Sequence, residues 1–340
     1  MKKLFVVALT LVMVLTVTAC GGSTPSSTGE TTKPSEADTP AAYPTEAVRV
    51  IVPYAAGGNT DLNARAVANV VESNKLMSQS MVVTNMPGSN CMDATAAVMK
   101  ATPNAQTLYC NHTAHMAFNA TGTAELMYTE LEPVIEIATS PFCVVANTQC
   151  GLKTVEEVVE YAKAHPGELS MAYVNVGSTT HFTTLEFLKE SGLADYITLV
   201  NYPSGAEALT AQLSNEVQLR GSVGSDAARY ITSGDLVCLC VSTSADGPVW
   251  EGIDTWADLG WDVDFYMSQG FWTTKGSPAS SVQALYDIVA EACQTEEYAQ
   301  FCLDNGMTPA WTNGSEWSKT LDSLYATCQD IVESGLMDIG

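Results

Sequence analysis

Short apolar runs alternate along the chain with longer stretches in which apolar positions recur every three or four residues. The first pattern predicts buried strands and the second amphipathic helices. Val48-Arg49-Val50-Ile51-Val52-Pro53 reads as a buried strand, and Thr60 to Leu76 as the helix after it. Met81 to Thr84 and Thr107 to Cys110 are further strands, with a Pro87-Gly88 turn and a helix from Met92 to Met99 between them. Val134 to Ala138 and Phe142 to Val145 read as one strand and its continuation into a second unit. Thr154 is placed to cap a helix from Val155 to Ala164, with Glu157 as its capping-box partner, and Pro166-Gly167 stops it. A strand over Leu169–Tyr173, a helix from Thr180 to Glu190 and a strand over Ile197–Val200 come next. The helix Ala206–Leu213 and the strands Val217–Leu219 and Leu236–Val241 follow. Three late helices run over Ser280–Cys293, Glu296–Asn305 and Ser315–Ser334. Strands alternating with helices imply an α/β fold with mostly parallel sheets.

The N-terminus follows a different pattern. Met1-Lys2-Lys3 is a cationic start, Leu4 to Val17 is apolar, and Thr18-Ala19 leads into Cys20. The apolar run is short for a bilayer span and suits a signal-peptide core over residues 1–19. Val17-Thr18-Ala19-Cys20 resembles the lipobox read by lipoprotein signal peptidase, which implies a lipid on Cys20. Residues 21–42 are almost entirely Gly, Ser, Thr, Pro, Ala and acids. That composition cannot bury apolar surface, so residues 20–42 are expected to be a lipidated cysteine and a tether of about 25 Å.

Charge narrows the function classes. Lys+Arg number 14 against 38 Asp+Glu, a formal net charge of −24. Nucleic acid is excluded as a partner, because its phosphates need a basic footprint. The same charge opposes a hold on anionic lipid, so membrane attachment falls to the acyl chain. An anionic ligand would need a local site made of backbone N–H groups and helix N-termini. After Cys20, nine cysteines remain, with no C-x-x-C pair and no Cys/His cluster at zinc spacing. Most read as small buried hydrophobes; Cys143–Cys150 and Cys293–Cys302 are the local pairs open to bridging. Cys238 and Cys240 alternate within a strand-like run and are expected to share a face. His112, His115, His165 and His181 give no metal set, Ser178 lies in no nucleophile elbow, and no cofactor motif occurs.

One phrase recurs: strand, glycine turn, small polar residues, helix. It appears as Tyr54-Ala55-Ala56-Gly57-Gly58-Asn59-Thr60-Asp61, then as Asn175-Val176-Gly177-Ser178-Thr179-Thr180-His181, and more loosely as Tyr202-Pro203-Ser204-Gly205. Each sets backbone N–H groups at a helix start, where partial positive charge gathers. The adjacent glycines of the first leave room for a ligand at the backbone. None has the spacing of a nucleotide loop.

Taken in order, these segments resemble the receptors of tripartite tricarboxylate transporters, the Bug-type extracytoplasmic solute receptors. The resemblance rests on Tyr43-Pro44, Val50-Ile51-Val52-Pro53, the turn from Tyr54 to Asp61, Asn85-Met86-Pro87-Gly88 and Gly177-Ser178-Thr179-Thr180-His181. The run from Tyr202 to Leu209, Ser233-Gly234-Asp235-Leu236, Gly270-Phe271-Trp272 and Lys275-Gly276-Ser277-Pro278 extend it to the C-terminal part. It implies a two-lobed, type II periplasmic-binding-protein-like fold with the ligand cleft between the lobes. Lobe one would hold residues 43–140 and 268–340, and lobe two residues 141–267, with the glycine turns facing across the cleft. Two places depart from the family pattern: Ser89-Asn90-Cys91, and Leu219 to Gly224 before Ser225-Asp226. In the second, Arg220 reads either as a carboxylate clamp or as a surface arginine balancing local acids.

The resemblance implies a small carboxylate ligand, a di- or tricarboxylate or an acidic amino acid, delivered to membrane permease subunits by a monomeric, non-enzymatic receptor. The ligand set it suggests is Tyr54 to Asp61, then Asn175, Gly177, Ser178, Thr179, Thr180 and His181, then Tyr202, Ser204, Gly205 and Arg220. Asp61 fits a role in tying its own turn, and His181 fits a structural role as well as a binding one. The expected location is the outer face of the cytoplasmic membrane, or the periplasm where the cell has an outer membrane. Docking on a membrane sensor kinase instead of a permease is the alternative, since both partners would read lobe closure.

Overall fold

The computed structural model describes residues 43–335 and Met337; the expected signal peptide, the Cys20 anchor and the tether lie outside the described residues. Strand β1 (Val48–Val52) is followed by helix α1 (Asn59–Ser73), β2 (Met81–Asn85), α2 (Met92–Met99), β3 (Thr107–His112) and α3 (Ala114–Ala120). The long strand β4 (Leu131–Asn147) leads to α4 (Val155–Ala164), β5 (Ser170–Val174), α5 (Thr179–Glu190), β6 (Thr198–Tyr202) and α6 (Gly205–Leu213). Next come β7 (Leu219–Val223), α7 (Gly224–Ser233), β8 (Leu236–Val241) and β9 (Tyr266–Thr274). Helices α8 (Ala279–Cys293) and α9 (Glu296–Asp304), the short β10 (Thr308–Pro309) and α10 (Gly314–Glu333) end the described chain. Among the described residues no helix is long and apolar enough to cross a membrane.

The strands form one ladder in the order β2-β1-β3-β9-β4-β7-β5-β6, with β8 and β10 also pairing to β4. β1 pairs in parallel with β2 and β3, and β5 with β6 and β7. β9 and β4 run antiparallel to their neighbours and join the two parallel sets. Residues Leu131 to Pro141 of β4 pair with β9, while Phe142 to Ala146 pair with β7. The strand and continuation expected over Val134–Val145 are therefore one strand whose partners change between Pro141 and Phe142.

Burial explains the strand sequences. Val48, Val50, Ile51 and Val52 of β1 are fully buried, each worth roughly 1.5–3 kcal/mol of transfer free energy. α1 lays Ala64, Val67, Ala68 and Val71 on the sheet at helical spacing. Thr154 caps α4 by accepting from Glu157 N at 3.2 Å. The Glu157 carboxylate closes on Lys153 N at 2.6 Å, one residue before the partner a capping box uses.

One expectation for the cysteines holds and one is corrected. All nine cysteines after Cys20 are free, so neither Cys143–Cys150 nor Cys293–Cys302 is bridged, and all but Cys150 are buried. Cys238 and Cys240 face opposite ways, because a bulge places Cys240 opposite Val144 and Cys238 opposite Val145. The extra residue, Leu239, shifts the alternation by one and sends the two thiols into different core clusters.

Candidate functional site

The first glycine turn is built from below by Asp61. Its carboxylate accepts from Gly57 N at 2.8 Å, Arg65 Nε at 3.0 Å and Asn85 Nδ2 at 2.9 Å. Gly57 sits at φ +84°, a conformation that side chains with a Cβ disfavour. Immediate neighbours cover Asp61 almost completely, though the protein layer beyond them is thin. Burial opposes its ionisation, but the bonds from Arg65, Gly57 and Asn85 outweigh it and hold its pKa below the ordinary value. Asp61 thus shapes the turn. α1 then starts with Gly58 extended and without a side-chain cap, which leaves its first N–H groups open to a ligand. Tyr54 turns away to bond Asn111 Oδ1 at 2.9 Å and to stack on His112. Ala55 and Ala56 are exposed and Thr60 is buried.

The second turn spends its polar groups on itself. Gly177 N donates to His181 Nδ1 at 3.1 Å, and His181 stacks on Tyr173. Ser178 caps α5 by accepting from His181 N at 3.2 Å, and its hydroxyl also donates to Val174 O. Thr180 Oγ1 accepts from Val174 N at 3.1 Å, and Asn175 N donates to Tyr202 O at 3.1 Å. Thr179 is buried. Burial pushes the His181 pKa down to about 4, so its ring is neutral. A Cβ on Gly177 would come within 2.9 Å of the Thr121 side chain, so this turn packs against the end of α3.

A cavity of about 280 Å³ lies where the first and third turns meet. Gly57, Gly58 and Asn59 enter it from the start of α1, and Gly205 and Ala206 from the start of α6. Ser204 caps α6 by accepting from Glu207 N, and Tyr202 points its hydroxyl to Glu216; neither lines the cavity. The second turn, from Asn175 to His181, also stands outside it. The pairing is therefore between the first turn and the third, not between the two glycine turns closest in sequence pattern.

Arg220 lines the same cavity from β7. It is 2% exposed, so the surface-arginine reading is overturned. Its Nε donates to Gln212 Oε1 at 2.9 Å, while its Nη2 is buried without a partner. Asn59 Oδ1 and Ser225 Oγ are also buried and unpartnered, an expensive state for polar groups. Among the described residues no ion pair within 4.0 Å joins Arg220 to a carboxylate. Burial lowers the Arg220 pKa, against the pull of Asp226. Asp226 reaches solvent by its surface while protein crowds it at longer range; desolvation raises its pKa and Arg220 and Arg229 restrain the rise.

Several lining residues lie outside the expected ligand set. Ser225, Asp226 and Arg229 come from α7, which that reading did not place. The signal was there: Ala227, Ala228 and Ile231 at helical spacing, then Gly234 as a left-handed stop. Leu62 and Leu209 supply apolar wall. Phe301, Asp304, Asn305 and Met307 complete it from the end of α9. Ser140 holds these parts in register, donating to Gly306 O at 2.9 Å and accepting from Ser225 N at 3.1 Å. A Cβ on Gly306 would meet Ala228 Cβ at 2.6 Å, so only glycine lets the α9 loop approach α7 so closely.

The family described as "Tripartite tricarboxylate transporter family receptor" matches residues 64–335. Protein BugT of Bordetella pertussis is 27% identical over 282 residues, spanning 81% of this chain and 84% of that one. A solved structure described as a periplasmic transporter superposes with a TM-score of 0.76 at 26% identity, covering 86% of this chain and 98% of that one. An R. palustris protein solved with adipate shares the fold, with a TM-score of 0.75, 23% identity and coverage of 86% and 97%.

Proposed function

The chain belongs to the tripartite tricarboxylate transporter receptor family, and from that premise we propose that it binds a small carboxylate outside the cytoplasm and delivers it to a membrane permease. Membership makes it a solute-binding receptor rather than an enzyme. The observation that carries the ligand class is Arg220, a buried guanidinium on the cavity wall whose Nη2 has no hydrogen-bond partner and which, among the described residues, forms no ion pair with a carboxylate. A ligand carboxylate there makes a charge-assisted hydrogen bond with the guanidinium. The Ser225 hydroxyl donates a second bond, and the Asn59 amide offers Nδ2 after a half-turn. The open N–H groups at the start of α1 add partial positive charge. Adipate in a protein of the same fold supports the reading.

In this proposal residues 43–140 and 268–340 form one lobe and residues 141–267 the other, closing over the ligand. The change of β4 partners at Pro141 and the mixed origin of the cavity walls support that division. Attachment by a lipid on Cys20 rests on the sequence from Lys2 to Cys20. The working unit is a monomer tethered at the outer membrane face. The test is a thermal-shift screen of the purified protein against mono-, di- and tricarboxylates, their amides or methyl esters, and sugars. Stabilisation by a carboxylate and not by its ester is the expected result; stabilisation by sugars alone sinks the reading.

A further inference from the structure

A single hydroxyl joins α7 to the loop after α9. Ser140 is 1% exposed and stands where β4 exchanges β9 for β7 as its partner. Its Oγ donates to Gly306 O at 2.9 Å and accepts from Ser225 N at 3.1 Å, which uses its one proton and one of its lone pairs. Ser225 N is one of the orphan donors in the first turn of α7, and that helix follows Val223 without a side-chain cap of its own. Ser140 supplies the missing cap from 85 residues away. α7 brings Ser225, Asp226 and Arg229 to the cavity, and Gly306 lies between its lining residues Asn305 and Met307. The packing around the hydroxyl is close. A Cβ on Gly306 would come within 2.6 Å of Ala228 Cβ and 3.0 Å of Trp250 Cζ2. One on Gly224 would come within 2.7 Å of Pro141 O and 2.9 Å of the Trp250 ring. Trp250 thus lies against both glycines, one on each side of the lobe boundary proposed above.

We infer that Ser140 is a positioning residue for ligand binding: its hydroxyl pins α7 to the α9 loop when the lobes are closed and sets how long a ligand is held. The inference rests on the two-lobed receptor reading and adds the residue that governs its closure. Turning one lobe against the other at Pro141 lifts α7 off the α9 loop and breaks the bond between Ser140 and Ser225. Arg220 Nη2 and Ser225 Oγ are shut off from solvent while that bond is made, so a ligand reaches them when the joint opens and is retained when it closes. Ser140 does not line the cavity. Its loss therefore lowers the closed fraction, and with it the affinity, by the same factor for every ligand.

The experiment compares the purified protein with Ser140→Ala in two ways. Hydrogen exchange without ligand reads the pin itself: segments 223–229 and 303–308 should exchange faster together in the variant, because both lose the same partner. Stopped-flow binding of the carboxylates of the screen reads its effect. Dissociation should rise about fivefold or more, by a common factor for every ligand, with association within about twofold of the parent. A purely structural role would lower the unfolding midpoint and leave the dissociation rate of the folded protein unchanged. Gly306→Ala, which drives the α9 loop off Ala228 from the other side, should also speed dissociation and decides the matter if Ser140→Ala does not fold. Unchanged exchange in either segment, dissociation within about twofold of the parent, or losses that differ more than about tenfold between ligands overturns the pin. A parent that binds no carboxylate overturns the carboxylate reading instead, and the exchange result still decides the pin.

Discussion

Replacing Arg220 with methionine should separate binding from folding. The side chain is 2% exposed, and its one hydrogen bond runs from Nε to Gln212 Oε1 at 2.9 Å. Methionine keeps an unbranched apolar stem and adapts to the space. Two opposing effects act on the empty protein. Gln212 Oε1 loses its partner, which costs about 1–3 kcal/mol. The protein is also relieved of a buried cation without an ion pair, whose desolvation penalty is several kcal/mol. The two offset, so the empty variant should stay within about 2 kcal/mol of the parent. Binding has no such compensation. Truncating one side of a buried, hydrogen-bonded charge pair costs about 2–5 kcal/mol, roughly 30-fold to a few thousand-fold in Kd. Urea unfolding measures the first quantity and calorimetric titration with the best carboxylate of the screen measures the second. An affinity within about fivefold of the parent would refute the clamp. A loss of more than about 4 kcal/mol by the empty variant would recast Arg220 as a structural residue.

Three further outcomes follow from the same geometry. Gly58 is extended, and a Cβ there would meet only Ala55 O, at 3.4 Å; Gly58→Val should therefore fold, block the cavity mouth and abolish the thermal shift, and an unchanged shift would show that no ligand passes there. Asp61 has a folded pKa below the unfolded value of about 3.9, so its stabilisation is fully present above that pH and is lost as pH falls through the folded pKa. The stability gap between the parent and Asp61→Asn should thus shrink in acid, and denaturant titrations from neutral to acid pH that show a constant gap contradict its role in the turn. Cys20→Ser should leave the protein unprocessed or released, as fractionation will show; retention on the membrane in mature, cleaved form would remove the lipid anchor from the account.

Much of the fold was legible because it is written locally. β1, α2, α4 and β8 follow from runs and periodicities that burial then explains, and their observed ends fall at or near the expected ones. What escaped has identifiable causes. What could be read of β4 was its continuity through Pro141, but not its partners, since Pro141 pairs with Tyr266 of β9 while Phe142 pairs with Val223 of β7. The bulge at Leu239 is a property of two strands together and cannot be seen in one. α7 opens with Gly224-Ser225-Asp226, residues typical of a loop, and its apolar stripe is short.

The site was less legible than the fold. Helix starts with glycine turns were visible, but which turns share a cavity depends on packing: Gly57 to Asn59 meet Gly205 and Ala206, while Gly177 is taken up by Thr121. Arg220 drew attention as a departure from the family pattern, but its burial and its free Nη2 belong to the tertiary structure. Asp304 and Met307 reach the cavity from more than two hundred residues after Gly58, with no local motif to announce them.

The central claim is that a carboxylate sits on Arg220. A crystal structure of the protein with the tightest-binding carboxylate tests it most directly. The expected result is a carboxylate oxygen about 3 Å from Arg220 Nη2, with Ser225 Oγ bonded to the same group. A ligand seated elsewhere, against the Gly177–His181 turn for instance, with Arg220 Nη2 still unpartnered, would contradict it.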